Sequence, residues 1–155
     1  MKILGMFLVL SIFLTGCSEP VSMDGKLGGS LASFVEAYGE NQKAEDDLLY
    51  DYISDEGVAA VFMEDQASVI TIDLTSEGQE LLSIEDAGEY ALSFAPSDAD
   101  EVERTQDPES IGQVIVFESK SLGEVQSNDR FSMQLLSEDG RIVTFIHLRT
   151  EPDEE

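Results

Sequence analysis

Cysteine is nearly missing from this 155-residue chain: it occurs once, at Cys17, and histidine also occurs once, at His147. One thiol permits no disulfide within the chain, so any folded part is held by its apolar core. One imidazole excludes a multi-histidine metal centre. Basic residues are scarce, 8 Lys and Arg against 33 Asp and Glu, for a formal charge of −25. Such a surface repels phosphodiesters and anionic headgroups, which excludes nucleic acid as a partner. The phosphate-cradling and dinucleotide fingerprints are absent, because the glycine pairs lack the required spacing and lysine. Gly-x-Ser-x-Gly is absent as well, and so is any internal repeat.

What is present begins at the N-terminus. Lys2 gives a basic start, Ile3 to Leu14 run without a charge, and Leu14-Thr15-Gly16-Cys17 closes the stretch. As a helix at ~1.5 Å per residue the apolar run spans ~18 Å, well short of a ~30 Å hydrocarbon core. That length suits the h-region of a signal peptide. The Leu-Thr-Gly-Cys junction resembles the lipobox of bacterial lipoproteins. The resemblance implies a signal peptide over residues 1–16 and lipidation of Cys17 with palmitate-type chains. It places the mature protein on the extracytoplasmic face of the bacterial cell membrane. Two or more acyl chains anchor stably, at ~0.8 kcal/mol per buried methylene. Lys2 leaves with the signal, which deepens the negative charge.

The remainder is long enough for one domain. Ser18 to Gly29 contains Pro20, Gly25, Gly28 and Gly29 without apolar periodicity, so residues 17–29 read as the lipidated cysteine and a flexible tether. Residues 30–150 read as a single domain and 151–155 as an acidic tail. Ser30 is positioned as an N-cap, and Leu31, Phe34, Val35 and Tyr38 follow at i, i+3, i+4 and i+7 before Gly39. Leu48 to Ile53 reads as a strand with Tyr50 and Tyr52 on one face. Val58 to Met63 and Ser68 to Leu74 predict a hairpin. Ser83 caps a second helix, with Glu85 and Asp86 in its first turn and Pro96 as its limit.

The unbroken Val114-Ile115-Val116-Phe117 predicts a strand covered on both faces or at the sheet centre. Asp139-Gly140 signals a two-residue type I′ hairpin joining Phe131–Ser137 to Arg141–Thr150. That turn pairs Leu136 with Val143, Met133 with Ile146 and Phe131 with Leu148. Phe131, Met133, Leu135, Ile146 and Leu148 then share one face, with Ser132, Gln134, His147 and Arg149 on the other. The sum is an α+β domain: a mostly antiparallel, curved sheet of five to seven strands with two helices packed on one face. Three stretches, Phe34-Val-Glu-Ala-Tyr-Gly39, Ala95-Pro-Ser-Asp-Ala99 and Phe117-Glu-Ser-Lys-Ser-Leu122, resemble small uncharacterised lipoproteins of Gram-positive bacteria. That resemblance implies no activity.

Chemistry-bearing groups are thin. His147 falls on a strand opposite Ser132, with no carboxylate placed by local register to orient it, so neither a serine triad nor another enzyme is expected, nor a cofactor. Asp98, Asp100 and Glu103 are the metal-ligand candidates, although the calcium-loop signature is absent. Tyr50 and Tyr52 either line a ligand face or pack ordinarily in the sheet. The favoured reading is a membrane-anchored, non-catalytic envelope lipoprotein that binds a protein, a peptide or a wall component through its sheet or an exposed edge. The alternative is a weak divalent-cation-binding envelope protein using clustered carboxylates. A shallow mixed groove favours the first; carboxylates converging within ~2.5 Å of a point favour the second. Cys17→Ser is expected to shift the protein from the detergent phase to the aqueous phase on phase partitioning, and unchanged detergent partitioning would refute the anchor.

Overall fold

The computed structural model describes residues 23–76, 78–106 and 112–152. The expectations for the signal segment, for Cys17 and for tail residues 153–155 lie outside the described residues. Part of the stretch read as a tether belongs to the fold. Leu27 is fully buried and its N–H donates to Phe94 O at 2.8 Å. Gly28 N–H donates to Ala67 O, and Gly29 O accepts from Ala67 N–H, both at 2.8 Å. A Cβ added to Gly29 would lie 2.2 Å from Met23 O. These glycines let backbones approach closely, a use that composition alone does not separate from a flexible linker.

Helix α1, Leu31–Tyr38, starts as expected: Ser30 Oγ accepts from Ser33 N–H at 3.3 Å, and Gly39 ends it at φ +88°. Its apolar spacing is only half used. Phe34 is buried edge-on against Tyr52 and Phe62, whereas Leu31 and Val35 are exposed. Tyr38 donates its hydroxyl to Gly25 O at 2.6 Å, and burial pushes the phenol up to about 12, so this clamp keeps its proton at any physiological pH. Helix α2, Ile84–Leu92, is capped reciprocally by Ser83 and Asp86 and buries Ala87 and Ala91. A third helix, α3 at Lys120–Val125, was not expected.

Eight antiparallel strands form one sheet: β1 Tyr52–Ile53, β2 Val58–Met63, β3 Gln66–Asp73, β4 Leu82–Ser83, β5 Asp100–Gln106, β6 Gln113–Glu118, β7 Arg130–Ser137 and β8 Ile142–Thr150. The order is β1-β2-β3-β8-β7-β6-β5, with β4 continuing beside β8. The class is α+β with a mostly antiparallel sheet, and the strand number exceeds the expected five to seven. The strands beyond those expected are β4, two residues long, and β5, whose acidic sequence has no strand pattern. Every residue of β5 is exposed, so charges that argued against a strand suit an edge. Consequently β6 lies one strand in from the edge, not at the centre.

The β7–β8 hairpin forms with a register two residues from that expected. Met133 faces Leu148 and Leu135 faces Ile146, with an irregularity at Leu136/Ser137. Gly140 has φ +72° but Asp139 does not share a positive φ, so the turn is not type I′. Asp139 Oδ1 instead accepts from Arg141 N–H and Ile142 N–H, at 2.8 and 2.9 Å, which lengthens the loop. A shift of two preserves the faces, so the expected inward set is buried. The two positive φ values that a type I′ turn needs occur at Glu64 and Asp65, between β2 and β3. Gly29→Ala should lower stability by about 2 kcal/mol or more, since a Cβ meets fixed backbone; equilibrium unfolding checks this, and an unchanged midpoint would restore the tether reading.

Candidate functional site

The pairing registers define the face of the sheet opposite the main buried row. One cross-strand row reads Ile53, Ala59, Thr71, His147, Gln134, Val114 and Thr105. The neighbouring row reads Val61, Val69, Arg149, Ser132 and Val116 before reaching Glu103 on the edge strand. Between Val61 and Val116 this face carries no carboxylate, in a chain with 33 of them. Asp73 and Glu118 stand at its ends, and Glu118 is ion-paired with Arg130 at 3.3 Å. Neutral and β-branched side chains, with Arg149 among them, make it the chemically distinct surface of the molecule.

His147 lies within this face. It is opposite Thr71 and Gln134 and not opposite Ser132, because of the two-residue register shift. Its Nδ1 is 3.0 Å from Thr71 Oγ1, and the Tyr50 hydroxyl is 3.5 Å from that same oxygen. Burial pushes the imidazole below its ordinary value, and Arg149 adds to that, so the ring is neutral at pH 7. Tyr50 and Tyr52 do not share a face. Tyr50 borders Thr71, while Tyr52 is buried and donates to Gly39 O at 2.9 Å. The expected strand from Leu48 shrinks to Tyr52–Ile53, because Asp47 turns the backbone before it.

At one end of the face a groove of about 970 Å³ opens between β2, β3, β8 and the segment after α3. Val61, Val69 and Pro152 give it apolar walls, Gln126, His147 and Arg149 give it polar ones, and Glu64, Glu124 and Glu151 add three carboxylates to its lining. A smaller cavity of about 410 Å³ lies between α2 and β6, closed on one side by the Glu101–Arg104 pair. The first is mixed in character and large enough for several side chains of a ligand.

The metal-ligand candidates are placed apart in role. Asp98 caps α3: Oδ1 accepts from Ser119 Oγ at 2.7 Å and from Ser121 Oγ, and Oδ2 accepts from Ser121 N–H at 2.9 Å. Partial burial raises its carboxyl, but hydrogen bonds from Ser121 and Ser119 win and hold it below the ordinary value. Asp100 faces Glu118, and Glu103 faces Val116. Among the described residues no three His, Cys, Asp or Glu side chains are grouped to hold a metal ion. Neither the Ser119 cap nor the carboxylate arriving from 21 residues upstream was read from the sequence, and the carboxylate leaves no local signal. No helix among the described residues is long and apolar enough to cross a membrane.

Compared with known proteins, the chain matches no family model, no curated protein and no solved structure.

Because the Asp98 carboxyl is held below 3.8, its stabilisation is present above that pH and lost as pH falls through the folded value. Asp98→Asn should cost about 1 kcal/mol at pH 7, the size of a lost cap. Chemical denaturation from pH 7 to 2 should show the wild-type and variant curves converging at the acid end. A constant gap would assign Asp98 a role independent of its charge.

Proposed function

We propose that this protein is a lipoprotein of the bacterial cell envelope, held through a lipidated Cys17 at the extracytoplasmic face of the membrane. Its domain serves there as a non-catalytic binding module. Both longer helices cover one face of a curved sheet, and the other face is the binding surface. The ligand is a protein, a peptide or a wall component.

The observation that carries this reading is the acid-free face. With −25 formal charge on the chain, a sheet face lined by Val69, Thr71, His147, Gln134 and Val114 lets a partner dock without placing a carboxylate at the centre of the contact. The mixed groove at its end offers apolar contact beside hydrogen-bonding groups and, at Glu64, Glu124 and Glu151, carboxylates that bound the neutral face. The exposed edge is a poorer candidate. Strand β5 is charged and irregular between Glu101 and Glu103, both of which oppose pairing with an added strand. Clustered carboxylates do not support the cation-binding alternative, since Asp98 already spends its oxygens on α3.

Placing acids on this face tests the proposal. Gln134→Glu with Arg149→Glu should leave the unfolding midpoint within a few degrees. A photo-crosslinker at Val114 in the full chain, expressed in the cell, should lose its adducts by about tenfold or more in that background. Adducts of unchanged yield in the folded double variant would remove the face from the function.

A further inference from the structure

The loop between α1 and β1 holds two adjacent leucines out in solvent, Leu48 at 93 % and Leu49 at 78 % exposure. Its base is clamped. Asn41 Nδ2 donates to Asp51 O at 2.8 Å, and Asn41 Oδ1 accepts from Ile53 N–H and Lys43 N–H, both at 3.0 Å. Its tip is fixed by Asp47, whose Oδ1 accepts from Leu49 N–H at 2.8 Å and from Tyr50 N–H at 3.2 Å. The next residue, Tyr50, reaches Thr71, so the tip stands at the border of the acid-free face. A turn formed in advance that displays two neighbouring apolar side chains has little ordering left to do on binding. Apolar groups gathered at such a point mark an interaction site.

The surroundings of the tip choose the partner. Glu45, Asp46 and Asp51 are exposed around it, and Lys43 is the one basic residue in the loop. An anionic bilayer would repel that collar, and a second copy of the chain would bring the same acids. We propose that Leu48 and Leu49 insert into an apolar pocket, rimmed by lysine or arginine, on a partner protein. This names the partner class for the open side of the domain. It rests on the reading of that side as a binding surface.

The test replaces Leu49 with p-benzoylphenylalanine in the full chain, irradiated in the producing cell, with the same probe at exposed Glu36 as control. The expected result is a discrete adduct to one protein, mapped by mass spectrometry to a segment carrying apolar and basic side chains. Its yield should fall about tenfold when Leu48→Ser is added and several-fold with Glu45→Gln and Asp46→Asn. Both leucines are exposed, so unfolding midpoints should not move. Adducts to lipid, to a second copy or to an acidic segment would overturn the inference, as would no adduct or a pattern equal to that from Glu36. The probe at Val114 separates the two proposals. Adducts there without adducts at Leu49 would sink only the tip; adducts at Leu49 alone would sink only the face.

Discussion

One row of side chains crosses the whole sheet, and the fold depends on its burial. Tyr52, Ala60, Ile70, Leu148, Met133 and Ile115 face one another strand by strand, and Arg104 ends the row on the edge strand. All but Arg104 are buried. The junction at Ile70 and Leu148 matters most, because β3 and β8 are far apart in sequence. Their pairing joins the N-terminal hairpin to the C-terminal meander. Fully burying each Leu, Ile or Met is worth roughly 1.5–3 kcal/mol, and non-local pairing must first meet its loop-closure entropy. Ala67, just before this junction on β3, ties in the N-terminal segment through Gly28 and Gly29 and the α3 end through Gln126.

The acids, which dominate the charge, are arranged around that row and not within it. Several are structural: Asp47, Asp86, Asp98 and Asp139 each accept backbone N–H groups or cap a helix start. Others guard the exposed edge on β5, where charge and an irregular register discourage pairing between molecules. The remaining acids make the surface repulsive toward like charge. Their exclusion from the centre of one sheet face sets a neutral patch apart from a negatively charged surround. The exposed Leu48–Leu49 tip borders that same place, which brings the apolar and the charge arguments to one side of the molecule.

The sequence by itself determined what depends on neighbours a few residues apart. Ser30 and Ser83 marked helix starts because a hydroxyl reaches an N–H three residues on. Alternation in Phe131–Leu135 and Ile146–Leu148 separated the two faces of the last hairpin, and that survived a register error of two because the side-chain period is two. What only the tertiary structure decided depends on groups that are distant in the chain. Residues 23–29 pack instead of tethering because Ala67 and Phe94 arrive beside them. Asp98 became a cap because α3 is delivered to it, β5 became a strand because β6 offers it an edge, and the acid-free face exists only once five strands are set side by side. Local pattern fixes torsions and faces; which faces meet is set by long-range burial, for which a short stretch of sequence holds no record.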